Sequence, residues 1–516
     1  MINKSIGTKP TPHSKAWLAL VNVAVAFILL CITGAGVRAD WIEIETPHFI
    51  VYSQKKEKTT RAFLAELETF RAFIEQVTGT NPRIGSLRLK VVIFKRKRGY
   101  RKVSQSRKTG GLFGLHRDGP VALLYFRDDK STFAQQGRQV LFHEYLHFFQ
   151  YLMRPTGYPL WYREGFAEYV SSSKIENSSM FVGEVLNARL PSLVRERWYP
   201  LKDLLEVDKI PARGDIFYGQ AWLFTHMLYA NIKLSKDRAR FLEMLVNGVT
   251  PELASKAAFN LDLDQLDAAL RRYFKTGKLS AFIFPLRVPE LSFSQTRKLS
   301  RKDGQLLELD LMADFANDRL KHKVALKQVK KLQKLHSKNP SLEAANLKLL
   351  SKTEDWDKAK KHAHILAEQY PTDPRINAVA GETLLRRQIA LMQVSKRRRF
   401  DLEELAIISS YLKKAVNSNP KDALSRYWLA KTFAFGYRDQ TIDYVELVLE
   451  AYKLYPQYRS IRYQLAFLLV EHQEYQKACQ LLKPLHQSEK RAESRLRIEL
   501  AVARFDEPKT CPLVTH

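Results

Sequence analysis

The chain is poor in cysteine, and lysine and arginine far outnumber its acidic residues. It has three cysteines in 516 residues, which excludes a small fold stapled by many disulfides. With 21 glycines and 21 prolines it is not collagen-like, and 45% apolar residues exclude wholesale disorder. At about 100 to 200 residues per domain, the length predicts two to four domains.

The shortage of acidic residues leaves a large positive charge. The 54 acidic residues face 84 lysines and arginines, so the formal net charge is +30. An excess of this size indicates contact with something anionic: nucleic acid, a membrane surface or an acidic polymer.

Long apolar runs are also missing, except near the N-terminus. Residues 1–15 carry three lysines and no acid, residues 16–32 are mainly apolar, and a Val-Arg-Ala sequence ends at residue 39. A basic region, an apolar region and a small-residue cleavage site in this order predict a signal peptide over residues 1–39. The alternative is an uncleaved anchor in which residues 16–37 hold the protein in the membrane, facing outward.

Export narrows the choice of anionic partner. We expect a periplasmic or secreted protein that meets the cell-envelope surface and no nucleic acid. The densest basic run, Lys95–Lys102, is predicted to be a loop between two strands, either simply solvated or docked to such a surface. Cys479 and Cys511 follow the signal segment, and they either form a disulfide in an oxidising compartment or remain buried thiols.

Hydrophobic patterns divide the chain into two parts. Residues 40–283 carry strand patterns first and helical patterns after them, which predicts an α+β domain. Residues 284–305 contain two prolines and are predicted to be a linker. Residues 306–505 are predicted to be helical throughout, and residues 506–516 form a C-terminal tail.

The helical part repeats itself. Pro340 and Pro371 are 31 residues apart, Pro420 and Pro456 are 36 apart, and Trp428 takes the aromatic position of one unit. These spacings resemble tetratricopeptide repeats (TPR), which have a period of about 34 residues. Such repeats imply either a concave surface that binds a protein partner or a stack that only supports the first domain.

A helical segment before Pro155 carries the pattern of a zinc site. His143 and His147 are four residues apart, so both imidazoles lie on one helix face and can bind the same metal. Glu144 lies beside the first histidine, where its carboxylate can reach a water on that metal. Burying these groups in an apolar helix without partners is costly, which favours a metal over a pair of core histidines.

A catalytic zinc site uses three protein ligands and keeps one position open. The segment Trp161–Tyr169 predicts a second helix that offers Glu164 as the third ligand. Glu168 follows one turn later, where it can hydrogen-bond a ligand imidazole and fix its tautomer. The sequence therefore predicts a zinc centre with two histidines and one glutamate.

Together, the His-Glu-x-x-His motif and the Trp161–Ala167 stretch resemble those of the gluzincin metallopeptidases, which include thermolysin and the aminopeptidase N group. More narrowly, residues 40–280 are similar to bacterial peptidase MA-like proteins, long labelled a domain of unknown function. The resemblance implies a zincin-like fold for the first domain and a Zn²⁺ cofactor.

The same resemblance implies roles for individual residues. The zinc ligands would be His143, His147 and Glu164. Glu144 would be the general base that takes a proton from the zinc-activated water. The family uses a downstream tyrosine or histidine as donor to the oxyanion, and Tyr218 is favoured over His226 for that role.

The substrate is less closely defined. The amine-binding element of the aminopeptidases is missing upstream of the zinc motif, so an endopeptidase is favoured, although a non-protein amide such as a cell-wall crosslink stays open. We expect the strand Val121–Phe126 to be an edge that pairs with an extended peptide, and the glycines around residue 112 to form a flexible flap. The overall prediction is an exported zinc metallopeptidase with a TPR-like interaction domain. The alternative is a cell-envelope scaffold with an inactive or structural zinc domain.

Overall fold

The computed structural model describes residues 41–78, 88–106, 110–125, 132–153, 158–277, 279–395, 400–437, 443–456, 458–487, 492–505 and 511. The predicted signal segment and nearly all of the predicted tail lie outside these residues, so both stay predictions. Within the described ranges, no helix combines the length and the hydropathy needed to span a membrane.

The first part of the chain mixes strands and helices. Its elements in chain order are β1 (Ile42–Glu45), β2 (Phe49–Ser53), α1 (Glu57–Thr78), β3 (Leu89–Phe94), α2 (Lys97–Ser104), β4 (Gly111–His116), β5 (Gly119–Tyr125), α3 (Thr132–Met153), α4 (Leu160–Ser171), β6 (Lys174–Glu176), β7 (Ser179–Val182), α5 (Leu190–Arg195), α6 (Leu201–Glu206), α7 (Gly214–Ala230), α8 (Ser235–Val246), α9 (Pro251–Phe259), α10 (Leu263–Thr276), β8 (Phe282–Pro285) and β9 (Arg297–Lys298). The expected order, strands before helices, holds only in part: β1 to β5 precede the helices from α3 onward, but α1 and α2 lie among these strands and β6 to β9 follow α4.

The strands form two sheets. The larger has the order β4-β5-β3-β2-β1-β9, and the smaller has the order β6-β7-β8. In the larger sheet β3 runs parallel to both β2 and β5, while β4 returns antiparallel to β5 as a hairpin. Within the described residues, β4 and β9 are therefore the two edges.

This topology corrects two predictions. The strand at Val121–Phe126 is not an edge, because β5 is paired on both sides, and the edge is β4. The glycines near residue 112 are not a flap: Gly111 and Gly114 lie within β4, opposite Leu124 and Val121. Glycine inside a strand marks close approach of other groups rather than freedom of the backbone.

Both faces of the larger sheet are covered. Val91 faces α1 and α3, where Phe70 and Phe142 stack at 3.9 Å between ring centroids. Successive side chains of a strand point to opposite faces, so the next residue, Val92, lies on the other face. There it packs with Leu123 and with helices of the second part of the chain. The two parts of the protein therefore share a core.

The basic run at Lys95–Lys102 is not a loop as predicted, because α2 covers most of it. Tyr100 and Val103 are three residues apart on the helix and both are buried, which gives the segment one apolar face. Several basic side chains, Lys97, Arg98, Arg101 and Lys102, are exposed or half-buried on the rest of its surface.

The second part of the chain is helical. Its elements are α11 (Arg301–Phe315), α12 (Arg319–Gln333), α13 (Pro340–Lys352), α14 (Trp356–Gln369), α15 (Pro374–Ser395), α16 (Leu402–Ser418), α17 (Ala423–Ala434), α18 (Tyr444–Leu454), α19 (Arg459–Glu471), α20 (Tyr475–Gln487) and α21 (Ala492–Val502). Consecutive helices pack as pairs, and α13, α15 and α17 also contact one another in succession. The predicted stack of helix pairs is confirmed, and we call α11 to α21 the repeat domain.

The segment 284–305, predicted to be a linker, belongs to both parts instead. It contains β9, which pairs with β1, and the start of α11. A methyl group on Gly304 would lie 2.5 Å from the Trp41 ring, so α11 rests directly on the start of the sheet.

At the far end of the stack, Cys479 and Cys511 form a disulfide with 5.7 Å between their α-carbons, which decides between the two states left open for them.

Candidate metal centre

Helices α3 and α4 bring the predicted zinc motif together. The buried residues Leu141, Tyr145 and Phe148 turn one face of α3 toward the core. Helix α4 packs against α3 and α7, and a Cβ on Gly165 would stand 2.3 Å from the Ala221 carbonyl oxygen. Trp161 fills the same interface, 4.9 Å from the Phe224 ring. Close packing on both sides fixes how α4 faces α3.

Three side chains converge between these helices. The Nε2 atoms of His143 and His147 are 3.0 Å apart, and each is 3.4 Å from Oε2 of Glu164. With metal bonds of about 2.0–2.1 Å, ligand atoms at the corners of a tetrahedron stand about 3.3 Å apart. The three residues therefore fit one tetrahedral ion.

The ionisation of Glu164 suits a metal ligand. Burial raises the pKa of this carboxyl, but the two histidines facing it outweigh burial and hold the pKa well below its usual range. Glu164 is thus an anion beside two imidazoles, which is the donor set that Zn²⁺ prefers. Among the described residues, no fourth His, Cys, Asp or Glu joins this cluster.

Glu144 lies next to the ligands without belonging to them. Its side chain is 6% exposed, and no described residue hydrogen-bonds its carboxylate. Burial raises the pKa of Glu144 to about 8. The charge of His147 lowers this pKa, whereas the negative charges of Glu164 and Glu168 raise it further. A carboxyl with an elevated pKa and no hydrogen-bond partner among the described residues can both accept and release a proton near neutral pH.

Glu168 lies near the other ring nitrogen of His143, and its predicted orienting role stays a prediction. Its Oε1 atom lies 3.5 Å from Nδ1 of His143. Arg189 donates to both carboxylate oxygens of Glu168, at 2.8 Å from Nη2 and 3.1 Å from Nε. Such a bidentate pair holds the carboxylate in one orientation.

Arg189 was missed by the sequence reasoning. It lies just before α5 and reaches Glu168 across 21 residues of chain. No short motif contains both residues. In a chain with so many lysines and arginines, a single arginine does not indicate a role at the site. Arg189 also covers the ring of Tyr218, with its guanidinium carbon 4.7 Å from the ring centroid.

Tyr218 faces the site, whereas His226 does not. Burial and the charges of Glu164 and Glu168 raise the pKa of Tyr218 far above its usual range, so the hydroxyl keeps its proton. No described residue bonds that hydroxyl. His226 is fully buried. Its Nε2 is hydrogen-bonded to the Gly183 carbonyl oxygen at 2.9 Å, and its Nδ1 to the Tyr273 hydroxyl at 2.7 Å. His226 is a core residue with both nitrogens satisfied.

The edge strand β4 runs alongside this centre. A methyl group on Gly111 would lie 2.3 Å from Oε1 of Glu144, so the strand begins against the carboxylate. Two residues on, the Phe113 ring is 6.1 Å from that of Phe148 on α3. The sequence did not identify this strand as the edge, because strand order is not written in local periodicity.

No family model and no curated protein matches the chain. Among solved structures, a thermophilic TPR protein from Thermus thermophilus is 20% identical and covers 39% of this chain and 99% of its own length, with a TM-score of 0.29. The MamA RS-1 ArsTM double mutant is 14% identical and covers 38% of this chain and 96% of its own, with a TM-score of 0.24. Neither similarity bears on the metal centre.

Proposed function

We propose that this protein is an exported zinc metallopeptidase that hydrolyses peptide bonds, with endopeptidase favoured over aminopeptidase activity. The observation that carries the proposal is the convergence of His143, His147 and Glu164, with the Glu144 carboxylate beside them and not hydrogen-bonded by any described residue. Three ligands leave a coordination position free for water or substrate, whereas structural zinc sites are closed by four. Zn²⁺ is therefore the proposed cofactor.

A Zn²⁺ ion held there would act as a Lewis acid and lower the pKa of a coordinated water from 15.7 toward about 7. Glu144 is placed to accept the proton of the attacking water at a carboxylate oxygen. The same carboxyl then donates that proton to the leaving amine nitrogen, which completes amide hydrolysis.

Two neighbours support this chemistry. Tyr218 keeps its proton and has no described hydrogen-bond partner, so its hydroxyl can donate to the oxyanion that forms on the scissile carbonyl. Glu168, held by Arg189, orients the His143 ring and fixes its tautomer. Both roles concern side chains that already face the ligands.

The substrate proposal rests on strand β4. No described strand pairs with its outer side, although the Gly111 carbonyl oxygen at its start accepts a hydrogen bond from the Tyr100 hydroxyl at 2.8 Å, and Gly111 lies against Glu144. An extended peptide can add to such an edge through main-chain hydrogen bonds. A peptide bound in this way would pass the carboxylate that is proposed to act as the base.

Export and partners complete the proposal. The segment 1–39 has the order of a signal peptide, and the Cys479–Cys511 disulfide suits an oxidising compartment. The TPR-like repeat domain supports a protein partner, and the basic face of α2 supports contact with the anionic cell envelope. We propose no nucleic-acid partner.

A paired measurement tests the proposal. Zinc content is determined in the purified protein, and hydrolysis of unfolded proteins and of peptidoglycan fragments is compared between wild type and Glu144→Gln. We expect one zinc per chain in both, and a loss of turnover of roughly 10²- to 10⁴-fold in the variant. Glu184→Gln, which removes a carboxylate paired with Lys174 instead, is the control.

Other outcomes would overturn the proposal in different ways. Full zinc occupancy without hydrolysis of any substrate would favour the envelope scaffold with an inactive zinc domain. Folded protein without zinc would remove the metal site itself. Cleavage of peptidoglycan fragments alone would replace the peptide substrate by a cell-wall amide.

A further inference from the structure

The turn between β4 and β5 is buried in the repeat domain. Arg117 at its tip is 9% exposed and pairs with Glu382 on α15. Its Nη2 atom also donates to Asp422 at 2.9 Å and to the Ser425 hydroxyl at 2.7 Å. A buried arginine bound to two carboxylates is an anchor, since none of the three charges is tolerated in the interior alone.

Residues before the tip strengthen the attachment. Leu115 packs against the hydrophobic core of the repeat domain. The ring of His116 lies 4.3 Å from that of Phe315 on α11, and its carbonyl oxygen accepts a hydrogen bond from Tyr455 at 3.2 Å. The turn therefore touches the repeat domain from α11 to the end of α18.

These contacts occupy the helices that line one side of the stack. Glu382 and Asp422 belong to α15 and to the start of α17, the first helices of successive pairs, and Asp118 faces Lys348 and Arg375 on α13 and α15. The occupant of this surface is thus the chain's own hairpin. The stack supports the first domain here, which was one of the two expectations for it.

The two ends of β4 contact different parts of the protein. Gly111 lies against Glu144, and the other end, His116, is about 17 Å away at the usual rise of a strand and leads into Arg117. Strand β4 is paired along one side only, with β5 over all six residues, so contacts at its ends add to what fixes its position. At the far end, Arg117 attaches the strand to the repeat domain through Glu382 and Asp422.

We infer that Arg117 is a positioning residue: by anchoring the β4–β5 turn between α15 and α17, it fixes strand β4 beside Glu144. The inference rests on the proposed peptidase function for its effect on catalysis. Its structural part, control of β4 by the repeat domain, stands independently. Loss of the anchor would weaken peptide binding along β4 and leave the zinc ligands on α3 and α4 in place.

The test compares variants at the anchor. Arg117→Ala takes the arginine from Asp422, which keeps only its hydrogen bonds from Ser425, and leaves Glu382 with Arg386 alone. Because this risks misfolding, a triple variant, Arg117→Met with Glu382→Gln and Asp422→Asn, removes the three charges together. Arg117→Lys keeps the charge but not the fork of two bonds. Lys453→Ala, which breaks an exposed ion pair with Glu450, is the control in the same domain.

Two readouts separate positioning from general stability. We expect hydrogen exchange of the β4 amides, Gly111 to His116, to become roughly tenfold faster in the triple variant while exchange in β1 and β2 and zinc content stay unchanged. We also expect KM for a peptide substrate to rise roughly tenfold with little change in kcat, and Arg117→Lys to restore part of the loss.

The outcomes distinguish this inference from the proposed function. Unchanged β4 exchange in the folded triple variant would overturn it, as would a fall in kcat with KM unchanged. If wild type hydrolyses no peptide, the proposed function fails, and exchange in β4 still decides whether the repeat domain holds the strand.

Discussion

Gly111 and Glu144 are in contact across the boundary between the sheet and helix α3, which carries the candidate metal ligands. A methyl group on the glycine would stand 2.3 Å from Oε1 of the carboxylate and 2.7 Å from Val140. No side chain fits in that space. The absence of a side chain at residue 111 therefore lets the edge strand and the proposed base occupy neighbouring positions.

Gly111→Ala should separate metal binding from turnover. The added methyl group must displace the Glu144 carboxylate, so we expect hydrolysis to fall by roughly 10²-fold while zinc content stays at the wild-type level. The measurement is kcat/KM on an unfolded protein together with bound zinc. Gly110→Ala is a matched control, because its methyl group would meet neighbours only at 3.8 Å. Equal activity in the two variants would contradict the prediction.

Glu168→Gln should weaken zinc binding. The neutral amide loses the charge that supports His143 and the bidentate pair with Arg189. We expect a fall in zinc affinity of roughly 10- to 100-fold, measured by competition with a chelator of known affinity. An affinity equal to that of wild type would show that Glu168 and Arg189 serve packing alone.

Tyr218→Phe should reduce kcat and leave zinc binding alone. The variant removes one hydroxyl from a ring that Arg189 still covers. Loss of an oxyanion donor costs roughly 10²- to 10³-fold in kcat, with KM nearly constant. Tyr199→Phe makes the same chemical change on a ring that lies 4.5 Å from Arg213, and it should have little effect. A Tyr218 variant with normal kcat would move the donor role elsewhere.

Reduction of the Cys479–Cys511 disulfide should destabilise the end of the repeat domain. The bridge closes a loop with a sequence separation of 32 residues, for which the chain-entropy model gives about 3–4 kcal/mol. We expect α20 and α21 to become sensitive to protease under reducing conditions, with zinc content unaffected. The double variant Cys479→Ser with Cys511→Ser should behave like the reduced protein under either condition.

Much of the metal centre could be predicted because its geometry is local. His143 and His147 are one helical turn apart, and that spacing alone puts two imidazoles on one face. Glu164 follows on the next helix, so a short connection limits how far it can lie from them. The orienting role of Glu168 rests on the same periodicity, and the structure places its carboxylate near the His143 ring.

Other parts could not be predicted because they depend on contacts between distant segments. Arg189 meets Glu168 through the path of a loop, which residue spacing does not encode. The edge position of β4 follows from the order of strands in the sheet. The alternation of apolar and polar residues along a strand does not indicate which other strands it pairs with. The many charges of Lys95–Lys102 predict a loop, because they outnumber the two residues, Tyr100 and Val103, that give the segment its apolar face.

The pairing of β9 with β1 has a consequence for how the chain can be divided. The backbone nitrogen of Glu45 donates to Ser294 across 249 residues, and Leu299 donates to the carbonyl of Trp41. A fragment that ended at residue 283 would leave β1 as a bare strand edge and expose Trp41 where α11 now covers it. Such a fragment would tend to aggregate, so a fragment that keeps the first part of the chain folded and soluble has to extend past residue 315. In folding, the outer edge of β1 closes only when the residues of β9, more than 250 positions later in the chain, are available to pair with it.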